Sequence, residues 1–290
     1  MSQKTGSTLR IVAIVLVAAS AAFTLLGGAG TTCVAFNAAE YGNAFKMFIP
    51  FAPTYQLFVY ISLVTGIASL GVAFAMMRWP MWGTVITAVL SVVSIAAGLI
   101  MSKTGLEGAA ACVVAVIAGI ALAYVLARAY KWAYWAAIGT VAISAGVAAA
   151  HMYYTSTLKL VSFFATPPES MRFYVSVLTL VVLLVLRLPG IWKWVDFTQP
   201  WPERASKSTA GGVTAIMMGI IALSTPMWAG ANHVVDGYNL VYVLEIPLAV
   251  GGWSLVLAGM GALITGALGI SRQAALQALR RRFAFVRAAS

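Results

Sequence analysis

The sequence predicts an all-α protein, a polytopic transmembrane helix bundle of about eight spans with both termini in the cytoplasm. Three observations predict this fold. Of 290 residues, 62% are hydrophobic and only 9% are charged, against about 25% charged in an ordinary soluble domain. Several segments are long and apolar enough to cross about 30 Å of hydrocarbon. Lys and Arg are concentrated between alternate segments, as the positive-inside rule requires.

The predicted spans follow from windows of about 20 apolar residues. The first has Lys4 and Arg10 before it and no small-x-small cleavage site after it, so we interpret it as an uncleaved span and not as a signal peptide. Residues 1–270 form one transmembrane domain, since no connection is long enough for a second. The spans cover residues 11–30, 56–77, 83–102, 107–127, 133–154, 173–191, 211–230 and 241–268.

The net charge of +11 is explained by topology, and we expect no nucleic-acid partner. With the N-terminus inside, 14 of the 18 Lys and Arg residues lie on the cytoplasmic side, and no span carries a charge near its centre. The four predicted outside are Lys46, Lys103, Lys159 and Arg172. Trp79, Trp82, Trp132, Trp135, Trp192, Trp194 and Trp201 form an aromatic belt at the inner interface.

Residues 271–290 form a basic amphipathic tail. Its apolar face combines Leu276, Leu279, Phe283 and Val286, and five arginines lie elsewhere on the helix: Arg272, Arg280, Arg281, Arg282 and Arg287. Such a helix lies on the anionic inner leaflet or docks on an acidic cytoplasmic partner.

Small residues recur at every fourth position in several spans, which allows close approach of another helix. The sequence does not tell whether that helix belongs to the same chain or to a neighbouring protein. The rows are Ala111, Ala115, Gly119 and Ala123; Ala142, Gly146 and Ala150; and Ser254, Ala258, Ala262 and Gly266.

The two histidines, His151 and His233, are predicted at similar depth near the outer surface. Two imidazoles that face each other could ligate haem iron, and with Cys33, Asp236 or Glu40 they could bind a metal ion. Neither histidine lies in a ligand motif, however, and the interpretation we favour is a structural role at the interface. The cysteines, Cys33 outside and Cys112 within a span, are not expected to pair.

Glu245, one or two turns into the last span, is the most deeply placed carboxylate. It could face a quinol head group or a proton path, or it could be stabilised by the positive end of the helix dipole. No catalytic triad, phosphate-binding loop or metalloprotease motif is present. We therefore expect no catalytic activity of the chain's own.

Four stretches resemble a family of uncharacterised bacterial multi-span membrane proteins, over about the first two thirds of the chain. They are Gly30-Thr-Thr-Cys33-Val-Ala-Phe36, Tyr55-Gln-Leu-Phe58, His151-Met152-Tyr153 and Arg187-Leu-Pro-Gly190-Ile-Trp192. The resemblance implies the cytoplasmic (inner) membrane of a bacterium and no particular activity.

Three functional hypotheses follow. The leading one is a non-catalytic subunit of a larger membrane protein complex, a bioenergetic complex being one candidate, with the bilayer and other transmembrane subunits as partners. The alternatives are an electron-transfer subunit that binds haem or quinone near His151, His233 and Glu245, and a transporter of a small solute.

Overall fold

The described part of the chain is entirely helical. The computed structural model describes residues 3–37, 52–77, 106–128, 130–157 and 167–195, and positions 89, 197, 212, 215–216, 250, 254, 256–262 and 264. The helices are α1 (Gln3–Asn37), α2 (Ala52–Met76), α3 (Leu106–Arg128), α4 (Ala133–Thr157), α5 (Pro167–Leu186) and α6 (Pro189–Trp192), with a 3-10 turn at Tyr130–Trp132. Because no strand occurs among these residues, the all-α prediction is confirmed for them.

Within the described residues, three helices are long and apolar enough to cross a membrane, through Thr8–Leu25, Gln56–Met76 and Ala133–Tyr153. Helices α3 and α5 contain shorter apolar windows, Val113–Leu126 and Met171–Leu186. Helices thus cover five of the predicted spans. The spans predicted at 83–102, 211–230 and 241–268 lie largely outside the described residues, as does the tail at 271–290.

The helix ends differ from the prediction at three places. Helix α1 continues to Asn37, so Cys33 lies on a helix and not in an external loop. Helix α5 begins at Pro167 and not at residue 173, because a proline fits the first turn, where its missing N–H needs no acceptor. The predicted span 173–191 is divided at Pro189, where the amides of Ile191 and Trp192 bond to the Leu188 carbonyl and start α6.

Helices α1, α2, α4 and α5 form a closed ring, in which each helix contacts the next and α5 returns to α1. Helices α1 and α4 run in one direction and α2 and α5 in the other. We call one end of this bundle the Arg10 end, after a residue near the start of α1. The opposite end is the Arg172 end, after a residue in the first turns of α5.

Helix α2 is the most enclosed of the three membrane-length helices described, with 78% of its apolar window buried against 61% for α1 and 39% for α4. The cause is α3, which packs on the outer side of α2. A Cβ on Gly71 would lie 2.5 Å from the Cβ of Ala123, and one on Gly119 would lie 2.9 Å from the Cβ of Ile67. The two helices are therefore parallel and approach each other closely at glycine.

Candidate functional site

Four hydroxyl groups from three helices meet inside the ring, and we call them the hydroxyl network: Ser20 and Thr24 on α1, Ser144 on α4 and Ser176 on α5. All four side chains are almost completely buried. Ser20 Oγ lies 2.8 Å from Ser176 Oγ, and Ser176 Oγ lies 3.2 Å from Ser144 Oγ. Ser144 also bonds Thr24, whose hydroxyl donates to the Ser20 carbonyl at 2.6 Å.

Only one assignment of donors and acceptors is possible in the hydroxyl network. A hydroxyl has a single hydrogen, and Thr24 must use its own on the Ser20 carbonyl because a carbonyl cannot donate. Ser144 therefore donates to Thr24, Ser176 donates to Ser144, and Ser20 donates to Ser176. The chain of donors starts and ends on Ser20, and every hydroxyl hydrogen is used within the protein.

One helical turn from the hydroxyl network, towards the Arg172 end, the ring contains a buried cation. Arg172 is only 2% exposed, and its Nη2 donates to Ser62 Oγ at 2.9 Å. Ser62 in turn donates to the Phe58 carbonyl of its own helix at 2.5 Å. The predicted span starts at residue 173, just after Arg172, whereas α5 starts at Pro167 and carries Arg172 into the bundle. Arginine inside a membrane bundle is costly and is a functional candidate by default.

His151 of α4 packs against Phe58 of α2, one turn before Ser62, which binds Arg172. Its ring centroid is 6.0 Å from that of Phe58, with the planes tilted by 43°, and the side chain is 2% exposed. It is thus enclosed by the bundle and does not lie at an open surface. We call Phe58, Ser62, His151 and Arg172 the Arg172 cluster.

The other predicted ligands are not brought to His151 within the described residues. His233, Asp236 and Glu245 lie outside those residues, as does Glu40. Cys33 is on the last turns of α1. No group of three or more His, Cys, Asp and Glu that could hold a metal ion occurs in the part of the chain that the structure describes. The haem, quinone and metal hypotheses therefore stay predictions.

The buried polar groups were missed by sequence reasoning although they follow a helical pattern. Arg172, Ser176 and Thr179 are spaced by four and three residues along α5, and all three are buried. Similar rows face inward on the other helices of the ring: Ser20 and Thr24; Ser62, Thr65 and Ser69; Thr140, Ser144 and His151. Considered together, these rows would have predicted a polar interior.

The Arg10 end is closed by aromatic rings and cations. Arg10 is 6% exposed, donates to the Phe197 carbonyl at 3.2 Å and has its guanidinium carbon 5.2 Å from the centre of the Phe197 ring. Tyr134 packs edge-on against Trp192, with centroids 4.7 Å apart, and its hydroxyl donates to the Leu183 carbonyl. These contacts fasten the segment after α5 to the starts of α1 and α4.

In comparisons with protein-family models, curated proteins and solved structures, nothing matches the chain. The resemblance to bacterial multi-span membrane proteins accordingly stays a prediction.

Proposed function

We propose that the chain is a non-catalytic integral membrane subunit that packs against transmembrane helices of other proteins in a larger complex. The observation that carries the proposal is an exposed row of small residues on α4, formed by Gly139, Ala142, Gly146 and Ala149. A Cβ placed on Gly139 or Gly146 would meet no atom within 4 Å. Trp135 and Tyr153, 49% and 68% exposed, flank the row on the same face.

The small-residue rows of α3 and α4 differ in what covers them. The predicted row on α3 is used inside the chain, because Gly119 and Ala123 are buried against α2. On the predicted row of α4, a Cβ placed on Gly146 would meet no atom of the described residues within 4 Å. In lipid, apolar side chains gain nothing from packing on one another, because the lipid tails are equally apolar. Small residues favour helix association there because they let two backbones approach closely. The exposed row therefore fits a second protein's helix better than it fits lipid.

The interior of the ring also suits a scaffold. A carrier must open a path between its helices, whereas the hydroxyl network joins α1, α4 and α5 directly and uses all its hydrogens. Opening the ring would break these bonds. This favours a subunit that keeps its shape while it holds its neighbours.

The proposal includes eight spans, cytoplasmic termini and the inner membrane of a bacterium. Two features of the fold support it. Helices α2 and α3 are parallel, as the second and fourth of a series of alternating spans must be. Four cations, Arg10, Lys131, Arg187 and Lys193, belong to the elements that meet at the Arg10 end, which is then the cytoplasmic end. A reporter enzyme that works only in the cytoplasm should be active when fused to the C-terminus, and one that works only outside the cytoplasm should be inactive there.

The test is a bulky substitution on the exposed row. Gly146→Leu places a side chain where the chain has open space, so the protein should still fold and insert. Extracted in mild detergent, the unsubstituted chain should migrate as a complex larger than its own 30.5 kDa plus detergent, and Gly146→Leu should release it. Ala118→Leu, on the exposed side of α3, is the matched control and should leave the complex intact.

Two results would refute the proposal. One is a chain that is already alone and monodisperse in mild detergent. The other is equal behaviour of Gly146→Leu and Ala118→Leu, which would show that the α4 row contacts nothing specific.

The Arg172 cluster favours a second candidate, an electron-transfer subunit that binds quinone. Quinone carbonyls accept hydrogen bonds, and the cluster combines guanidinium, imidazole and hydroxyl groups with an aromatic ring. Quinone that co-purifies with the chain and is lost in His151→Ala would support this candidate. A protein free of quinone, without a haem absorption band and unchanged by His151→Ala would exclude it.

A further inference from the structure

The corner between α5 and α6 holds a cation in an aromatic clamp. The guanidinium carbon of Arg187 lies 4.5 Å from the ring centre of Trp192 and 5.4 Å from that of Trp135 on α4. Trp192 is itself fixed by its edge-on contact with Tyr134. A guanidinium stacked on aromatic faces keeps its planar fork of donors available at the edge, which suits phosphate. Arg187 is exposed at this position.

Further cations and exposed indoles surround this clamp. Lys193 is exposed, with Nζ 5.7 Å from the ring centre of Trp194. Lys131 is exposed one turn before Trp135. Trp132, Trp135 and Trp194 are 67%, 49% and 40% exposed. Asp196 and Glu203, the acidic residues that follow in the sequence, lie outside the described residues.

The apolar surface of α5 leads directly to the clamp. Leu184, Val185 and Leu188 are 51%, 45% and 54% exposed. A molecule that reaches from this face to Arg187 must therefore be apolar along its length and negatively charged at its end.

We propose that the corner of Arg187, Lys193, Lys131 and their tryptophans binds an anionic phospholipid. The head-group phosphate accepts hydrogen bonds from Arg187 and is attracted by the positive charges of Lys193 and Lys131. The acyl chains lie along α5. Exposed tryptophans are typical of the membrane interface, and basic sites between helices select acidic head groups. The clamp adds a fixed guanidinium, which distinguishes this corner from a general excess of positive charge.

The test compares two lipids with identical acyl chains on the full-length protein, delipidated in mild detergent. Native mass spectrometry should detect phosphatidylglycerol bound to the chain in preference to zwitterionic phosphatidylcholine. Arg187→Gln should lower phosphatidylglycerol occupancy about fivefold, the effect of one cation near an anionic lipid, and should leave phosphatidylcholine occupancy unchanged. Lys193→Gln, at the other exposed cation beside Trp192, is the second variant and should also lower phosphatidylglycerol occupancy.

Arg128→Gln is the matched control. Arg128 is also exposed and also stacks on an aromatic ring, at 4.4 Å from the centre of Tyr124, but it lies at the end of α3. Equal loss in Arg128→Gln and Arg187→Gln would overturn the site and leave only general charge attraction. Equal retention of the two lipids, or displacement of phosphatidylglycerol by millimolar inorganic phosphate, would overturn the lipid assignment. Failure of Gly146→Leu to release a complex would not affect this inference.

Discussion

Replacing Ser176 by alanine removes the hydroxyl that joins three helices. Ser176 donates to Ser144 and accepts from Ser20, so Ser176→Ala breaks two interhelical hydrogen bonds at once. Hydrogen bonds between membrane helices contribute about 0.6 kcal/mol each on average. The expected loss in free energy of unfolding is therefore about 1.2 kcal/mol, or about eightfold in the unfolding equilibrium constant. The cavity contribution is small because only one oxygen is removed.

The assay is equilibrium unfolding of the purified chain as SDS replaces a mild detergent, followed by the helical circular dichroism signal. Ser254→Ala is the matched control, since the exposed Ser254 hydroxyl donates only to the Val250 carbonyl of its own helix, at 2.8 Å. It should change stability by a few tenths of a kcal/mol at most. In a double-mutant cycle, Ser20→Ala combined with Ser176→Ala should show a coupling of about 0.6 kcal/mol. A loss in Ser176→Ala no larger than that in Ser254→Ala would refute the role of the network.

Three other substitutions, the first with its own control, test the remaining contacts. Gly71→Leu should cost about 1–3 kcal/mol in the same assay by overpacking α2 against α3, whereas Gly139→Leu, with open space around it, should leave the isolated chain unchanged; equal effects would contradict the close approach. Ser62→Ala should cost about 1.5–3 kcal/mol, because it removes an acceptor of a buried guanidinium; a neutral result would show that this bond is unimportant. Arg10→Met should speed amide hydrogen exchange at residues 189–195, since Arg10 holds the adjoining Phe197; unchanged mass-spectrometric exchange would argue against that contact.

Hydropathy predicted where apolar helices lie but not where they end. The hydrocarbon sets the apolar length, whereas a helix ends where its backbone bonding ends, as at Asn37 in α1 and Pro167 in α5. The six-residue error at the start of α5 had a chemical consequence. It assigned Arg172 to a loop, so that the one buried arginine of that helix was not considered as part of a site.

Small-residue rows likewise predicted association without predicting the partner. The rows of α3 and α4 have the same spacing in the sequence, yet Gly119 is buried against Ile67 while Gly146 has open space. What distinguishes them is the order of helices around α2, which depends on contacts between residues far apart in the chain. No local pattern contains that information.

The hydroxyl network also determines the order in which the helices can pack during synthesis. Ser20 and Ser176 are 156 residues apart, and Thr179 bonds the Leu16 carbonyl across 163 residues. During synthesis α1 leaves the ribosome first, and the Ser20 hydroxyl has no interhelical acceptor until Ser176 on α5 has followed. The nascent chain must therefore be held near its point of insertion, with α1 kept from drifting into the lipid, until the fifth helix arrives and closes the ring.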